Sequence, residues 1–176
     1  LNLDFANAKM LDPRIDFTRS SSGSYYDSDG LLKLASVNKP RFDHDPVTGE
    51  SKGLLIEESR TNLLTYSENF DNAAWAKARS SIIPNSTISP DGTFTASKLV
   101  EDTTNGAHHI YQTYSYTAGV SYTFSRYVKA AERTIVSMNF GNGLVLPTQY
   151  GSKFDLTTGI WTSISANVAV KSEQVS

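Results

Sequence analysis

Apolar and polar residues alternate along most of this chain with a period of two, the mark of strands that bury one face. Ile15-Asp16-Phe17-Thr18-Arg19 is the first such run. Ser24-Tyr25-Tyr26 and Leu31-Leu32-Lys33-Leu34 flank Asp27-Ser28-Asp29-Gly30 and read as a hairpin. Gly53 to Glu57 and Ala96 to Val100 are further strands. His109 to Tyr116 sets Ile110, Gln112, Tyr114 and Tyr116 on one face. Tyr122 to Lys129 sets Tyr122, Phe124, Arg126 and Val128 on one face and Thr123, Ser125, Tyr127 and Lys129 on the other. Ile135 to Phe140 follows, then Lys153 to Leu156 turns through Thr157-Thr158-Gly159 into Ile160-Trp161-Thr162, and Ile164, Ala166, Val168 and Val170 prolong the period. Glu68 to Trp75 predicts one short helical turn with Trp75 inward. Long helical periodicity and fixed-length repeats are absent.

This pattern predicts an all-β protein in two parts. Residues 1–65 are dense in turn signals (Asp12-Pro13, Asp27 to Gly30, Lys39-Pro40, Asp45-Pro46, Thr48-Gly49) and read as a hairpin-rich arm with little core of its own. Residues 66–176 read as an antiparallel β-sandwich or jelly roll.

Composition removes several function classes. At 176 residues the chain is long enough for a core without staples. A net charge of -2 leaves no electrostatic footprint for nucleic acid. No apolar run approaches the ~18 residues of a membrane span, and the first residues lack the basic and apolar regions of a signal peptide. With no cysteine, thiol catalysis and thiolate zinc sites are excluded. His108 and His109 are adjacent on a strand and point to opposite faces, away from a shared metal. No Gly-x-Ser-x-Gly elbow, phosphate loop or dinucleotide fingerprint is present, so the expectation is a binding or structural module rather than an enzyme.

Three groups remain as candidate chemistry. Asp27 and Asp29, and Asp43 and Asp45, offer oxygen ligands at alternate positions that suit a structural calcium ion, against the plainer reading that they shape turns. Glu57, Glu58 and Arg60 read as ion pairs anchoring a strand rather than as a catalytic carboxylate pair. His109 and Tyr111, with Tyr127 and Lys129, lie on the faces opposite the expected core. Flat aromatics beside hydrogen-bonding cations suit a sugar, which has an apolar face and a hydroxyl rim. The competing reading packs them under a loop or against a neighbouring subunit.

The stretch from Leu11 to Tyr66 carries more specific signals. Leu11-Asp12-Pro13-Arg14-Ile15-Asp16-Phe17-Thr18-Arg19, Tyr26-Asp27-Ser28-Asp29-Gly30-Leu31, Val37-Asn38-Lys39-Pro40-Arg41-Phe42-Asp43-His44-Asp45-Pro46-Val47-Thr48-Gly49-Glu50 and Gly53-Leu54-Leu55-Ile56-Glu57-Glu58-Ser59-Arg60-Thr61-Asn62 occur in that order. This resembles the leader region of tailed-bacteriophage and prophage virion structural proteins of tails, fibres or head appendages. Ser67 to Asp71 with Trp75, Pro90-Asp91-Gly92, and Tyr122 to Ser125 resemble the carbohydrate-binding-module type of jelly roll that follows such leaders. The resemblance implies a virion surface appendage, often a trimer, in contact with other virion proteins, and a lectin-like sandwich without one set ligand; a host cell-surface glycan is the further partner that the aromatic faces suggest. It also implies further strands after Ile160, so a chain ending at Ser176 holds an incomplete sandwich with an open sheet edge.

Overall fold

A computed structural model describes residues 3–117, 119–140, 150–164 and 168–175. The molecule is all-β, with one helical turn, α1 (Phe5–Ala8), whose start is capped by the Asp4 carboxylate accepting from the Asn7 backbone N–H at 3.3 Å. Two units are distinguished and are described separately: residues up to Tyr114 together with the chain end from Gln174, and Ser115–Glu173.

Turn chemistry decides where the strands of the first unit meet. β1 (Gly23–Tyr26) and β2 (Leu32–Ala35) pair antiparallel with Ser24 opposite Leu34, as expected from the intervening Asp-Ser-Asp-Gly. The Asp27 carboxylate accepts from the backbone N–H groups of Asp29 and Leu31, both at 3.0 Å, and Gly30 takes φ 76°. β3 (Phe42–His44) and β4 (Ser51–Leu54) are joined by Asp45-Pro46-Val47-Thr48-Gly49, in which Asp45 Oδ1 accepts from Val47 and Thr48 N–H at 3.0 Å. Gly49 closes that turn at φ 71° by donating to the Asp45 carbonyl at 2.9 Å.

β5 (Ala76–Ala78) pairs with β8 (His109–Tyr111), and β6 (Ser80–Thr87) with β7 (Ala96–Glu101). β6 was hidden in the sequence by Pro84, which cannot donate to a ladder. The register shift between Ile83 and Thr87, with Asn85 at φ 51°, accommodates the proline in a bulge. The segment from Tyr66 to Trp75 forms successive tight turns rather than a helical turn: Asn69, Asn72 and Trp75 donate to the carbonyls of Tyr66, Asn69 and Asn72. Trp75 is inward as expected, and its Nε1 donates to the Tyr66 carbonyl at 2.9 Å while Phe70 meets its ring edge-on at 5.1 Å.

The expected boundary near residue 65 falls inside this unit. Leu32 N–H donates to the Pro90 carbonyl at 2.9 Å, and Gln112 Nε2 to the Thr65 carbonyl at 2.6 Å.

In the second unit β9 (Ile135–Phe140), β10 (Tyr150–Asp155) and β11 (Ile160–Ile164) form a three-stranded antiparallel sheet with β10 central. The β10–β11 turn repeats the Asp45–Gly49 design. Asp155 Oδ1 accepts from Thr157 N–H at 2.8 Å, and Gly159, at φ 71°, donates to the Asp155 carbonyl at 2.9 Å. Phe154 and Trp161 are cross-strand partners with ring centroids 4.8 Å apart.

Two expected strands take another form. Tyr122, Phe124 and Arg126 are half-buried and the residues between them exposed, so the alternation is there, yet no ladder runs through 122–129. Ile15 to Arg19 likewise alternates in burial without a ladder. Its end is tied instead by Arg19, whose N–H donates to Asn38 Oδ1 at 2.9 Å and whose Nη2 donates to the Ser36 and Lys39 carbonyls at 2.7 and 2.9 Å. Val168 and Val170 are half-buried, and Ala166 lies outside the described residues.

Among the described residues the buried apolar side chains are Ala35, Pro46 and Trp75 alone. The buried polar ones, Arg41, His44 and Ser152, match them in number.

Candidate functional site

β8 builds the best-defined aromatic surface. It is held against β5 with Ala78 opposite His109 and Ala76 opposite Tyr111, and the Ser80 hydroxyl donates to the His109 carbonyl at 3.0 Å. Residues two apart on a strand share a face, so the His109 and Tyr111 rings come together at 5.6 Å, tilted by 43°. Across from Tyr111 stands only the methyl of Ala76, and Tyr111 is 40% exposed. The pair presents a flat phenol beside an imidazole, a surface that offers a stacking face and hydrogen-bonding tips to a ring of mixed polarity.

Tyr127 and Lys129, the other half of the expected site, belong to the second unit. Both are exposed, Tyr127 at 52%, on the outward side of the alternating run 122–129. Arg126, just before them, is half-buried, and burial lowers its guanidinium pKa from the ordinary value. The structure thus joins His109 to Tyr111, and sets Tyr127 and Lys129 on a separate unit.

Of the candidate aspartates, Asp27 and Asp45 are committed to turns. Burial, the largest single influence, acts to raise the Asp27 pKa, but donors from Leu31, Asp29 and Lys33 together bring it below its usual value. The Asp43 carboxylate accepts from Tyr26 N–H at 2.8 Å and so ties β3 to β1. Donation from Thr48 and Val47, with Lys52 alongside, holds Asp45 at about 2. Asp29 is exposed at the hairpin tip. Among the described residues no three His, Asp or Glu side chains converge as metal ligands. Glu58 makes the expected ion pair, to Arg60 at 2.6 Å, whereas Glu57 pairs with Arg41 at 2.7 Å, a partner outside that expectation.

Two clusters were not foreseen. Arg41 is 6% exposed, and its Nη1 donates to the Ser24 carbonyl at 2.9 Å while pairing with Glu57. Arg19 also approaches Gly23, where a Cβ would lie 2.6 Å from Arg19 Nη1 and 3.1 Å from Arg41 Nη1. Two guanidinium groups therefore sit close to the start of β1, and a side chain at Gly23 would require them to shift. The second cluster is His108, whose Nδ1 lies 3.5 Å from Glu101 and whose Nε2 lies 3.3 Å from Asp102. The Asp102 pKa is lowered, first by the Thr104 hydroxyl and then by the Thr104 N–H, with His108 adding to it. Neither cluster has a spacing signature, since each depends on a turn returning the chain to residues that look like ordinary surface charges.

Comparison with family models, with curated proteins and with solved structures yields no match to this chain.

Proposed function

We propose that the chain is a structural subunit of a tailed-bacteriophage particle appendage (tail, fibre or head fibre) that works in assembly as a homo-oligomer. The observation that carries this reading is the scarcity of core. Large apolar side chains such as Leu34 at 74%, Ile56 at 78%, Phe94 at 58% and Ile160 at 60% remain exposed, while buried apolar side chains are few.

Apolar surface left open in this way is what obligate subunit interfaces cover. The ordered leader motifs between Leu11 and Asn62 supply the class of assembly, and the jelly-roll arrangement and the trimer follow from the same resemblance. Light-scattering mass of the full chain tests the reading, because an appendage subunit of this kind is expected to be oligomeric and a stable monomer at high concentration counts against it.

A second reading has its own observation. The His109–Tyr111 ring pair on β8, half-buried at His109 and exposed at Tyr111, supports attachment to a host-surface glycan. Tyr127 and Lys129 provide a similar aromatic and cation on the second unit. Glycan-array binding that is lost in Tyr111→Ala supports this use of the sheet face; binding unchanged in both Tyr111→Ala and Tyr127→Ala removes it.

A further inference from the structure

The segment after β4 is unlike the rest of the first unit. Leu55 N–H still donates to the Arg41 carbonyl at 2.9 Å. From Ile56 to Leu63 every residue is exposed, and none of their backbone N–H or C=O groups is hydrogen-bonded to another of the described residues. Ile56, at 78%, is the most exposed large apolar side chain among the described residues. An extended stretch with free backbone groups and an exposed isoleucine is a template for strand addition.

The sequence says which strand would fit. Set antiparallel to itself about Ser59, the segment places Leu55 opposite Leu63, Ile56 opposite Asn62, Glu57 opposite Thr61 and Glu58 opposite Arg60. The leucines meet at both ends, and the opposite charges meet on either side of the centre. Shifting the pairing by two residues instead sets Glu58 against Glu58 or Arg60 against Arg60, and like charges directly opposite are unfavourable. Glu57 is anchored to buried Arg41, which fixes this end of the segment to the unit.

We propose that residues 55–63 pair with the same segment of a second copy of this chain, as an antiparallel, two-fold strand addition centred on Ser59. The proposal rests on the self-association reading above and specifies one contact within it. A two-fold contact is isologous and gives even copy numbers, so it yields a dimer, or joins rings of another symmetry in pairs.

The chain has no cysteine, so a single introduced thiol reports cleanly. Residues directly opposite in an antiparallel pair have Cα atoms roughly 4.5–5.5 Å apart, within the ~4.4–6.8 Å span of disulfides. Ser59→Cys, oxidised by air with copper as catalyst, is expected to form a disulfide-linked dimer rapidly and nearly completely. Asn62→Cys is the comparison, because the same residue of the second copy lies roughly 20 Å along the ladder, and it is expected to stay largely unlinked. Glu58→Arg should slow the Ser59→Cys cross-link by about tenfold or more, the equivalent of ~1.4 kcal/mol of pairing, and adding Arg60→Glu should restore it. Equal linking of the Ser59→Cys and Asn62→Cys chains, or linking of neither, overturns the pairing. If the chain is oligomeric by light scattering while Ser59→Cys stays reduced, the pairing is wrong and self-association stands. If it is monomeric and unlinked, both fall.

Discussion

Aspartate does most of the local shaping in this chain, and its charge is what makes the turns pH-sensitive. Asp45 is held at about 2 by donation from Thr48 and Val47. Asp91 is held at about 2 by the Ser89 hydroxyl, at 2.5 Å, and by the hydroxyl and N–H of Thr93. An unfolded aspartate titrates near ~3.9. A folded pKa below the unfolded one contributes stability that is present above the unfolded value and is lost as pH falls through the folded value. Stability is therefore expected to fall between about pH 4 and pH 2, and Asp45→Asn with Asp91→Asn should flatten that part of the profile in thermal melts. A profile unchanged by both substitutions would assign the acid sensitivity elsewhere. Arg41 is the other decisive residue: its guanidinium is nearly inaccessible and serves both the Ser24 carbonyl and Glu57. Arg41→Ala removes a buried side chain and the donor to the Ser24 carbonyl, leaving the exposed Glu57 to water, and should destabilise the first unit by about 2 kcal/mol, read as a lower urea midpoint.

At the scale of elements, the hairpins were legible because turn and strand signals agreed. Asp27 to Gly30 between Tyr26 and Leu31 announced β1–β2, and Asp155 to Gly159 announced β10–β11. β6 was not legible, because Pro84 argues against a strand and only the pairing with β7 reveals the bulge that absorbs it. The reverse held for 122–129, where alternation set the burial only as far as Arg126, Val128 being exposed, and did not supply a partner strand. Half of the candidate site was readable in the same way: His109 and Tyr111 share a face by strand periodicity alone. The two arginines around Gly23 and the carboxylates around His108 were not, since nothing in the spacing links Arg19 to Arg41 or His108 to Glu101. Trp75 anchors the turns that precede β5. Trp75→Ala removes a buried ring and its bond to Tyr66, and should lower stability by about 3–5 kcal/mol in denaturant titration. A loss below 1 kcal/mol would mean that the ring does not organise those turns.

For the whole molecule, the balance of buried and exposed apolar surface is the central fact. Small antiparallel sheets with open edges and a sparse core are marginal alone, because two-stranded ladders need packing against something else. On the self-association proposed above, a second copy of the chain would supply both edges and apolar cover. The most direct test is the light-scattering mass of the purified 176-residue chain over a wide concentration range. The proposed self-association predicts a mass at a multiple of 19.3 kDa that persists on dilution. A mass of 19.3 kDa at every concentration, with a cooperative unfolding transition, would show that the chain stands alone and would contradict it.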